Sequence, residues 1–405
     1  MKTLKPKILL LILFAVSILF FSNDFGLIDI EKTAIITAIA IDKADDGDYL
    51  VTCQIAVPEA SNAVAENQKA QISGKGSTVA NALKTTGSNT GWFPQTIFCN
   101  LIIVGNSLTQ DNLITVLDYF SKTMRVQDSA QVVLAQDSAK DLLNATSPLD
   151  NISSFAIQKI LLKNAGFDQD VCAVDIKTFC VGYYSANASS YMPMVKIKNP
   201  TLENQNSSSS GESQGQSNSG SESSEKSDSS GSKTGGKALF DATTTALFVK
   251  GVKVGELDKN LSHTLNILTK QINGSAFGVD DVDGFSYLLT VLDDKSKITV
   301  CATQNDLVVN VSVNLFCKVS DQNTLGSTNA FDNASPIPEK VRLHAQTQIK
   351  DSIQDLIMTS KITGCDFLNL KQKLYRFNFE QYSNYKDNFF DKMQLNVKVT
   401  ITGQR

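Results

Sequence analysis

Histidine is scarce in this 405-residue chain, and so is an excess of charge of either sign. The two histidines, His263 and His344, lie far apart in the sequence, which argues against a histidine-rich metal site or a histidine-based relay. The formal net charge is −4 and no run concentrates Lys and Arg, so nucleic acid is not an expected partner. The sequence has a single long hydrophobic run, at the N-terminus, whereas a polytopic membrane protein needs several, so that class is excluded.

Seven cysteines are spread along the chain without a C-x-x-C pair: Cys53, Cys99, Cys172, Cys180, Cys301, Cys317 and Cys365. Because the number is odd, at least one thiol has no partner within the chain. A chain of this length needs no disulfides to hold its cores, so we expect most cysteines to be buried as small apolar residues. A Cys172–Cys180 bridge is the alternative, and it would indicate an oxidising compartment.

The N-terminal hydrophobic run has the form of an export signal. Three lysines precede Ile8 to Phe21, which is shorter than the ~20 apolar residues of a comfortable spanning helix. A cut after Ser22 would place Phe20 where a small side chain is preferred. We therefore expect an uncleaved signal-anchor, with cleavage as the alternative, and an exported chain in both cases.

Composition divides the rest of the chain. Hydrophobic residues make up 42% and charged residues 19%, as in globular proteins. Residues 203–236, however, are almost entirely small and polar, and such a segment cannot bury enough surface to offset its ordering entropy. We predict four regions: a signal peptide or signal-anchor (1–28), an N-terminal α/β region (29–200) that can end in a small second domain near 171–200, a disordered Ser/Gly-rich linker (201–237) and a C-terminal α/β domain (238–405).

Hydrophobic periodicity predicts alternating strands and helices, and thus a mixed α/β (α+β) fold class. Predicted strands cover 34–41, 49–57, 97–104, 131–135, 244–249, 297–302, 307–319 and 395–401. Predicted helices cover 78–86, 110–122, a segment capped by Asp137 and ending at Leu143, 260–268 and 339–360.

Several segments match chemical motifs but lack a neighbouring element or residue that the motif requires. Gly211–Gly215 has the G-x-S-x-G pattern and Gly236-Lys237 part of a phosphate-binding loop, but both lie in the low-complexity tract, with no preceding strand. Asp280–Gly284 lacks the first and twelfth ligands of a calcium loop and is predicted to be a solvated turn.

The remaining candidates for chemistry have plain structural interpretations. Asp293-Asp294 adjoins two lysines and predicts a charged turn, and both histidines lie on amphipathic helices as surface or boundary residues. No catalytic residue, cofactor-binding residue or metal ligand is predicted. The residues alone indicate an exported, membrane-tethered, multidomain protein with a binding or structural role.

Five segments in order resemble the Ger(x)C family, the C subunit of GerA-type nutrient germinant receptors. They are Ile41–Ile55, Ala139–Leu143, Tyr191–Val195, Ala246–Leu257 and Cys365–Arg376 with the strand around Val397–Val399. The resemblance implies three α/β domains of mixed sheets and helices, a non-enzymatic role and no cofactor. It also implies assembly with integral membrane A-type and B-type subunits on the outer face of the spore inner membrane, in response to amino acids, sugars or nucleosides. It leaves the ligand-binding residues open.

One position departs from this family. Its lipobox ends in Gly-Cys-Trp-Asp, and here Gly26-Leu27-Ile28-Asp29 aligns with it, so Leu27 occupies the place of the acylated cysteine. A diacylglycerol anchor cannot form on Leu27, and the hydrophobic run is expected to be the anchor instead. Two other functions remain open: an exported, membrane-anchored small-molecule-binding protein unrelated to germination, and an exported hydrolase.

Overall fold

The computed structural model describes Ile8, residues 10–17, 33–56, 69–123, 126–150, 152–161, 170–198, 238–269, 272, 274–282, 285–323 and 336–403. Leu27, the predicted linker (201–237) and the two motif matches within it lie outside these ranges. Across the ranges given, no helix combines the length and apolar character that crossing a bilayer requires.

The first sheet has nine strands in the described part of the chain. They are β1 (Thr33–Lys43), β2 (Tyr49–Ala56), β3 (Lys69–Gly76), β4 (Phe93–Gln95), β5 (Leu101–Val104), β6 (Gln131–Ala135), β7 (Ser189–Lys198), β8 (Leu239–Val249) and β9 (Val252–Leu257). Their order is β3-β2-β1-β5-β6-β7-β8-β9, and β4 lies beside the start of β1. The central strands β1, β5, β6 and β7 are parallel, whereas β2, β3, β8 and β9 join antiparallel.

Helices cover both faces of this sheet. They are α1 (Val79–Thr90), α2 (Ile114–Thr123), α3 (Ala139–Asn144), α4 (Ser153–Leu161) and α5 (Ile176–Tyr184). In β5, Ile102 belongs to the core shared with α1, α2 and α5, and its neighbour Ile103 to the core shared with α3 and α4. Central strands buried on both faces are apolar at nearly every position, which explains the sequence LIIV in β5.

The second sheet is built on one long strand. Its strands are β10 (Ala276–Val282), β11 (Phe285–Asp294), β12 (Lys297–Ala302), β13 (Leu307–Asn323) and β14 (Met393–Gly403). Along one side of β13, β11 and β12 pair antiparallel one after the other, with two register shifts in β11, and β14 runs parallel on the other side. Its helices are α6 (Lys259–Leu268), α7 (Glu339–Thr363), α8 (Leu370–Phe377), α9 (Phe379–Tyr385) and α10 (Phe389–Lys392).

One face of β13 is buried and the other is not. Alternate residues from Leu307 to Val319 are buried in the core, where they meet the apolar stripe of α7, including Ile349 and Ile353. The residues between them are polar or partly exposed. This alternation is typical of a sheet covered on one face, and it explains why the sequence predicts β12 and β13 well.

The predicted mixed α/β class is confirmed by the two mixed sheets and their helices. Three local predictions are wrong. Asp280 to Val282, predicted as part of a solvated turn, belong to strand β10 because Val282 pairs with Phe285 on β11, and residues 283 and 284 lie outside the described ranges. The predicted strand 97–104 begins only at Leu101. The N-cap of α3 is Ser138, whose hydroxyl accepts a hydrogen bond from the Asp141 N–H, and not Asp137.

The cysteines are all unpaired, and six of the seven are buried. This confirms the prediction that most of them pack as small apolar residues. The predicted alternative, a Cys172–Cys180 bridge, is wrong because Cys172 packs in the core of the second sheet and Cys180 in a core of the first. Cys301, on β12, is the exposed one.

Asp42 joins the end of β1 to the start of α3. Its carboxylate is 8% exposed and accepts backbone N–H groups from Ala139 (2.8 Å) and Lys140 (2.9 Å). Gly105, just after β5, leaves room for it: a Cβ there would lie 2.0 Å from Asp42 Oδ1. This part of the fold therefore requires a residue without a side chain at position 105.

We expect Gly105→Ala to lower the free energy of unfolding by about 1–3 kcal/mol, because the added methyl group displaces the capping carboxylate. Gly278→Ala is the matched control, since the nearest atom to its Cβ is 3.9 Å away. Urea denaturation of both variants measures the difference. Equal stability of the two variants would contradict this account of Gly105.

Candidate functional site

The two sheets are joined where the chain leaves α7. The backbone N–H of Asp366 donates to Ser189 Oγ (3.0 Å) at the start of β7, and the Cys365 thiol donates to the Phe248 carbonyl (3.3 Å) on β8. Cys365 is fully buried, and burial raises the pKa of its thiol to about 12. This thiol therefore packs and does not react.

Asp366 is the central charged group of this junction. Only 1% exposed, its carboxylate accepts the backbone N–H groups of Leu370 and Lys371, each at 2.8 Å, and the side-chain amide of Asn187 from the first sheet. A carboxylate at the N-terminus of α8 is also favoured by the helix dipole. Burial nevertheless dominates and raises the pKa of Asp366 above its usual range.

A cleft of about 800 Å³ opens beside this junction. Helix α5 and the start of β7 form one wall, and the segment that leads into α8, with α8 itself, forms the other. Its lining includes Ser190, Leu268, Ile298, Gln372, Lys373, Arg376 and Phe377.

Two polar atoms in the cleft walls are buried without a partner among the described residues. They are Ser190 Oγ, on a residue that is 4% exposed, and Gln372 Oε1. Buried polar atoms are nearly always hydrogen-bonded in folded proteins. A hydroxyl can donate or accept, whereas an amide oxygen only accepts, so a molecule bound here would need at least one hydrogen-bond donor.

The charge in the cleft is positive. Lys373 Nζ donates to the Leu368 carbonyl (2.8 Å), and burial lowers the pKa of Lys373. Arg376 is exposed, with its guanidinium 5.9 Å from the ring centroid of Phe377. No Asp or Glu is among the described lining residues. With Leu268 and Ile298 as an apolar wall, the cleft suits a small anion that carries both a hydrogen-bond donor and an apolar part.

His263 is a boundary side chain, as predicted, but it makes a contact that the sequence does not indicate. Its Nδ1 lies 3.0 Å from Asp170 Oδ1, and Lys259 Nζ lies 2.9 Å from the other oxygen of the same carboxylate. Burial acts to raise the pKa of Asp170, but these two hydrogen bonds outweigh it and leave the pKa below its usual range. Asp170 lies too far away in the sequence for helix periodicity to indicate the contact.

The other candidates from the sequence stay apart from the cleft. His344 is exposed, as predicted. Asp294 accepts the N–H and hydroxyl of Ser296 in a turn, but it is 8% exposed rather than solvated. Among the described residues, no group of three or more His, Cys, Asp or Glu could hold a metal ion. Ser190 and Gln372 carried no signal in the sequence, because the fold alone brings them to one cleft.

We expect Asp366→Asn to lower the free energy of unfolding by about 1–3 kcal/mol near neutral pH, because an amide cannot accept all three N–H donors. Asp387→Asn, at an exposed carboxylate between α9 and α10, is the control and should change stability by less than about 0.5 kcal/mol. Urea denaturation measures both. If Asp366→Asn lowered the free energy of unfolding no more than the control does, the capping role would be contradicted.

The pH dependence of the same variant has a defined sign. Because the folded-state pKa of Asp366 is raised, its stabilising contribution is complete below the unfolded pKa of about 4 and declines as the pH rises through the folded value. The stability difference between the parent chain and Asp366→Asn should therefore shrink above about pH 4. A difference that grows over this range would contradict the burial of this carboxylate.

Comparisons with known proteins agree with the fold over most of the chain. The family model described as "Spore germination protein N-terminal domain" matches residues 27–197, and that described as "Spore germination B3/ GerAC like, C-terminal" matches residues 243–404. The solved structure described as "Crystal Structure of the GerBC protein" is similar with a TM-score of 0.53 and 14% identity, covering 93% of this chain and 100% of that one. At that identity the likeness concerns the fold. No curated protein matches this sequence. The chain belongs to the Ger(x)C family of spore germination proteins.

Proposed function

We propose that this chain is the C subunit of a nutrient germinant receptor, a non-enzymatic protein that assembles with integral membrane A-type and B-type subunits to trigger spore germination. The observation that carries the proposal is the match of two spore-germination family models, in order, to the two halves of the chain. The Asp42–α3 contact and the Asp366 junction lend support, because both connect segments that resemble the family.

The proposed site of action is the outer face of the spore inner membrane, with the N-terminal run as anchor. Leu27 stands where the family carries its acylated cysteine, so lipid attachment at that position is not possible. Ile8 and residues 10–17 are helical, and Leu10, Leu11, Leu13 and Phe14 are each more than 60% exposed. Apolar side chains exposed to this degree are suited to a bilayer.

Complementation of a deletion strain in the sporulating host tests this function. The tagged chain should restore nutrient-triggered germination, fractionate with spore membranes with its N-terminus intact, and co-purify with two multi-span proteins. Leu11→Glu/Phe14→Glu should release the chain from the membrane and abolish rescue, because two charges interrupt the hydrophobic run. Ser17→Ala, in the same run, is the matched control and should behave like the parent chain.

Two results would count against the proposal. A deletion strain that germinates normally with every nutrient would overturn the receptor role. A soluble chain with a new N-terminus after Ser22 would overturn the anchor while leaving the role to be judged by rescue.

A second function is favoured by the cleft: direct capture of a small molecule. The unpartnered Ser190 Oγ and Gln372 Oε1, together with Lys373 and Arg376, support a carboxylate that carries a hydroxyl or ammonium donor. The hydrolase alternative lacks such support among the described residues, because His263 Nε2 has no hydroxyl within hydrogen-bonding distance.

Calorimetry with the full chain in detergent tests this second function. Lactate and alanine each carry a donor beside the carboxylate, and propionate lacks it, so we expect lactate or alanine to bind at least about tenfold more tightly than propionate. Arg376→Gln and Ser190→Ala should each weaken binding, whereas Lys361→Gln, an exposed lysine on α7, should not. Equal weak binding of all three acids would contradict a ligand site in the cleft.

A further inference from the structure

Four large apolar side chains are exposed at one edge of the first sheet. They are Ile35 (40%), Trp92 (48%), Ile97 (47%) and Phe98 (54%), which we call the apolar edge. Isolated exposed apolar residues are ordinary, but a cluster of large ones that includes two aromatic rings indicates an interaction surface.

Backbone pairing brings these residues to the same end of the sheet. β4 pairs in parallel with the first three residues of β1, from Thr33↔Phe93 to Ile35↔Gln95, so Trp92 adjoins the beginning of β1. The turn between β4 and β5 is closed by the Cys99 N–H, which donates to the Thr96 carbonyl (2.9 Å), and Ile97 and Phe98 occupy this turn. The apolar edge is therefore the N-terminal edge of the parallel strands.

Charge and space around Trp92 favour a particular class of partner. Residues 67–110 contain no Asp or Glu, and Lys84 lies with Trp92 on the rim of a cavity of about 550 Å³ between α1 and α2. An aromatic ring, an adjoining lysine and no nearby carboxylate from this stretch are the features that suit the headgroup region of an anionic bilayer.

Chain connectivity points the apolar edge toward the proposed anchor. The hydrophobic run ends at Phe21 and β1 begins at Thr33, so the residues between them span at most about 40 Å when extended. As a helix, the run is about 21 Å long, against a hydrocarbon thickness of about 30 Å. An anchor this short attaches a protein to the membrane only marginally, and stable attachment generally combines two membrane contacts.

We propose that the apolar edge docks on the bilayer, with Trp92 and Phe98 at headgroup depth as the second membrane contact of this chain. This inference rests on the proposed membrane anchor. A second copy of the chain, or an integral membrane protein, on the apolar edge would instead keep Trp92 away from lipid.

Trp92 is the one tryptophan in the sequence, so its fluorescence reports this surface without labelling. The full chain is reconstituted into vesicles of phosphatidylcholine and phosphatidylglycerol, with and without lipids brominated near the headgroup. We expect brominated lipid to reduce Trp92 emission about twofold or more, as for a ring at the membrane interface. Phe98→Ser should reduce this quenching while leaving the far-ultraviolet circular dichroism unchanged.

The matched control moves the single tryptophan to the far end of β1. Trp92→Phe/Asp45→Trp places it in the exposed turn after β1, about 30 Å along the strand, and this reporter should not be quenched. Vesicle flotation is measured on the same samples. If the chain floats with vesicles but Trp92 is not quenched, the docking proposal is overturned and the anchor stands. The same holds if Trp92 is shielded from both brominated lipid and acrylamide, which is the result expected when a protein partner covers it.

Two further outcomes would also be decisive. Equal quenching of both reporters would overturn a specific docking edge, because the far turn would then touch lipid as well. Failure of the chain to float with vesicles would overturn the docking and the anchor together.

Discussion

The relation between the two sheets depends on a carboxylate that is nearly removed from water. Asp366 is 1% exposed, and its burial is tolerated because N–H groups from the start of α8 and from Asn187 surround its oxygens. An ionised group in such a place is costly unless every partner is present. This requirement fixes where α8 begins relative to the first sheet, and with it the positions of Gln372, Lys373 and Arg376 across from Ser190. The geometry of the cleft is therefore a consequence of how one buried charge is satisfied.

Asp42, inside the first sheet, is likewise a buried carboxylate that accepts backbone N–H groups at the start of a helix. It belongs to strand β1, yet it caps α3, the helix after β6, which lies two strands away in the sheet, and Gly105 has no side chain to obstruct it. Both aspartates lie in segments that resemble the family: Asp42 connects two such segments in space, and Cys365, beside Asp366, connects its segment to the one that contains Phe248. These segments therefore supply contacts that hold the fold together.

The sequence predicted the elements whose apolar pattern is set by burial on their own faces. Strands β6, β12 and β13 and helices α6 and α7 were placed within a few residues, because alternation and the helical stripe are local signals. The features that the sequence did not predict depend on contacts between residues far apart in the chain. Helix periodicity predicts the boundary position of His263 but not its contact with Asp170, and the short sequence spacing of Cys172 and Cys180 does not show that they enter different cores. The cleft had no local signal at all, since its two unpartnered oxygens come from β7 and α8.

The parallel strands give the first sheet two unlike ends. At the end where β1, β5, β6 and β7 begin lie the apolar edge and Ser189, and at the other lie the Asp42 cap and the acidic turn of residues 45–48. Because β7 is separated from β1 by β5 and β6, the Ser190 wall of the cleft is about 15 Å from β1 across the sheet. An apolar edge docked on a bilayer would hold the cleft close to the headgroups as well. A molecule bound there would then also lie close to the membrane surface.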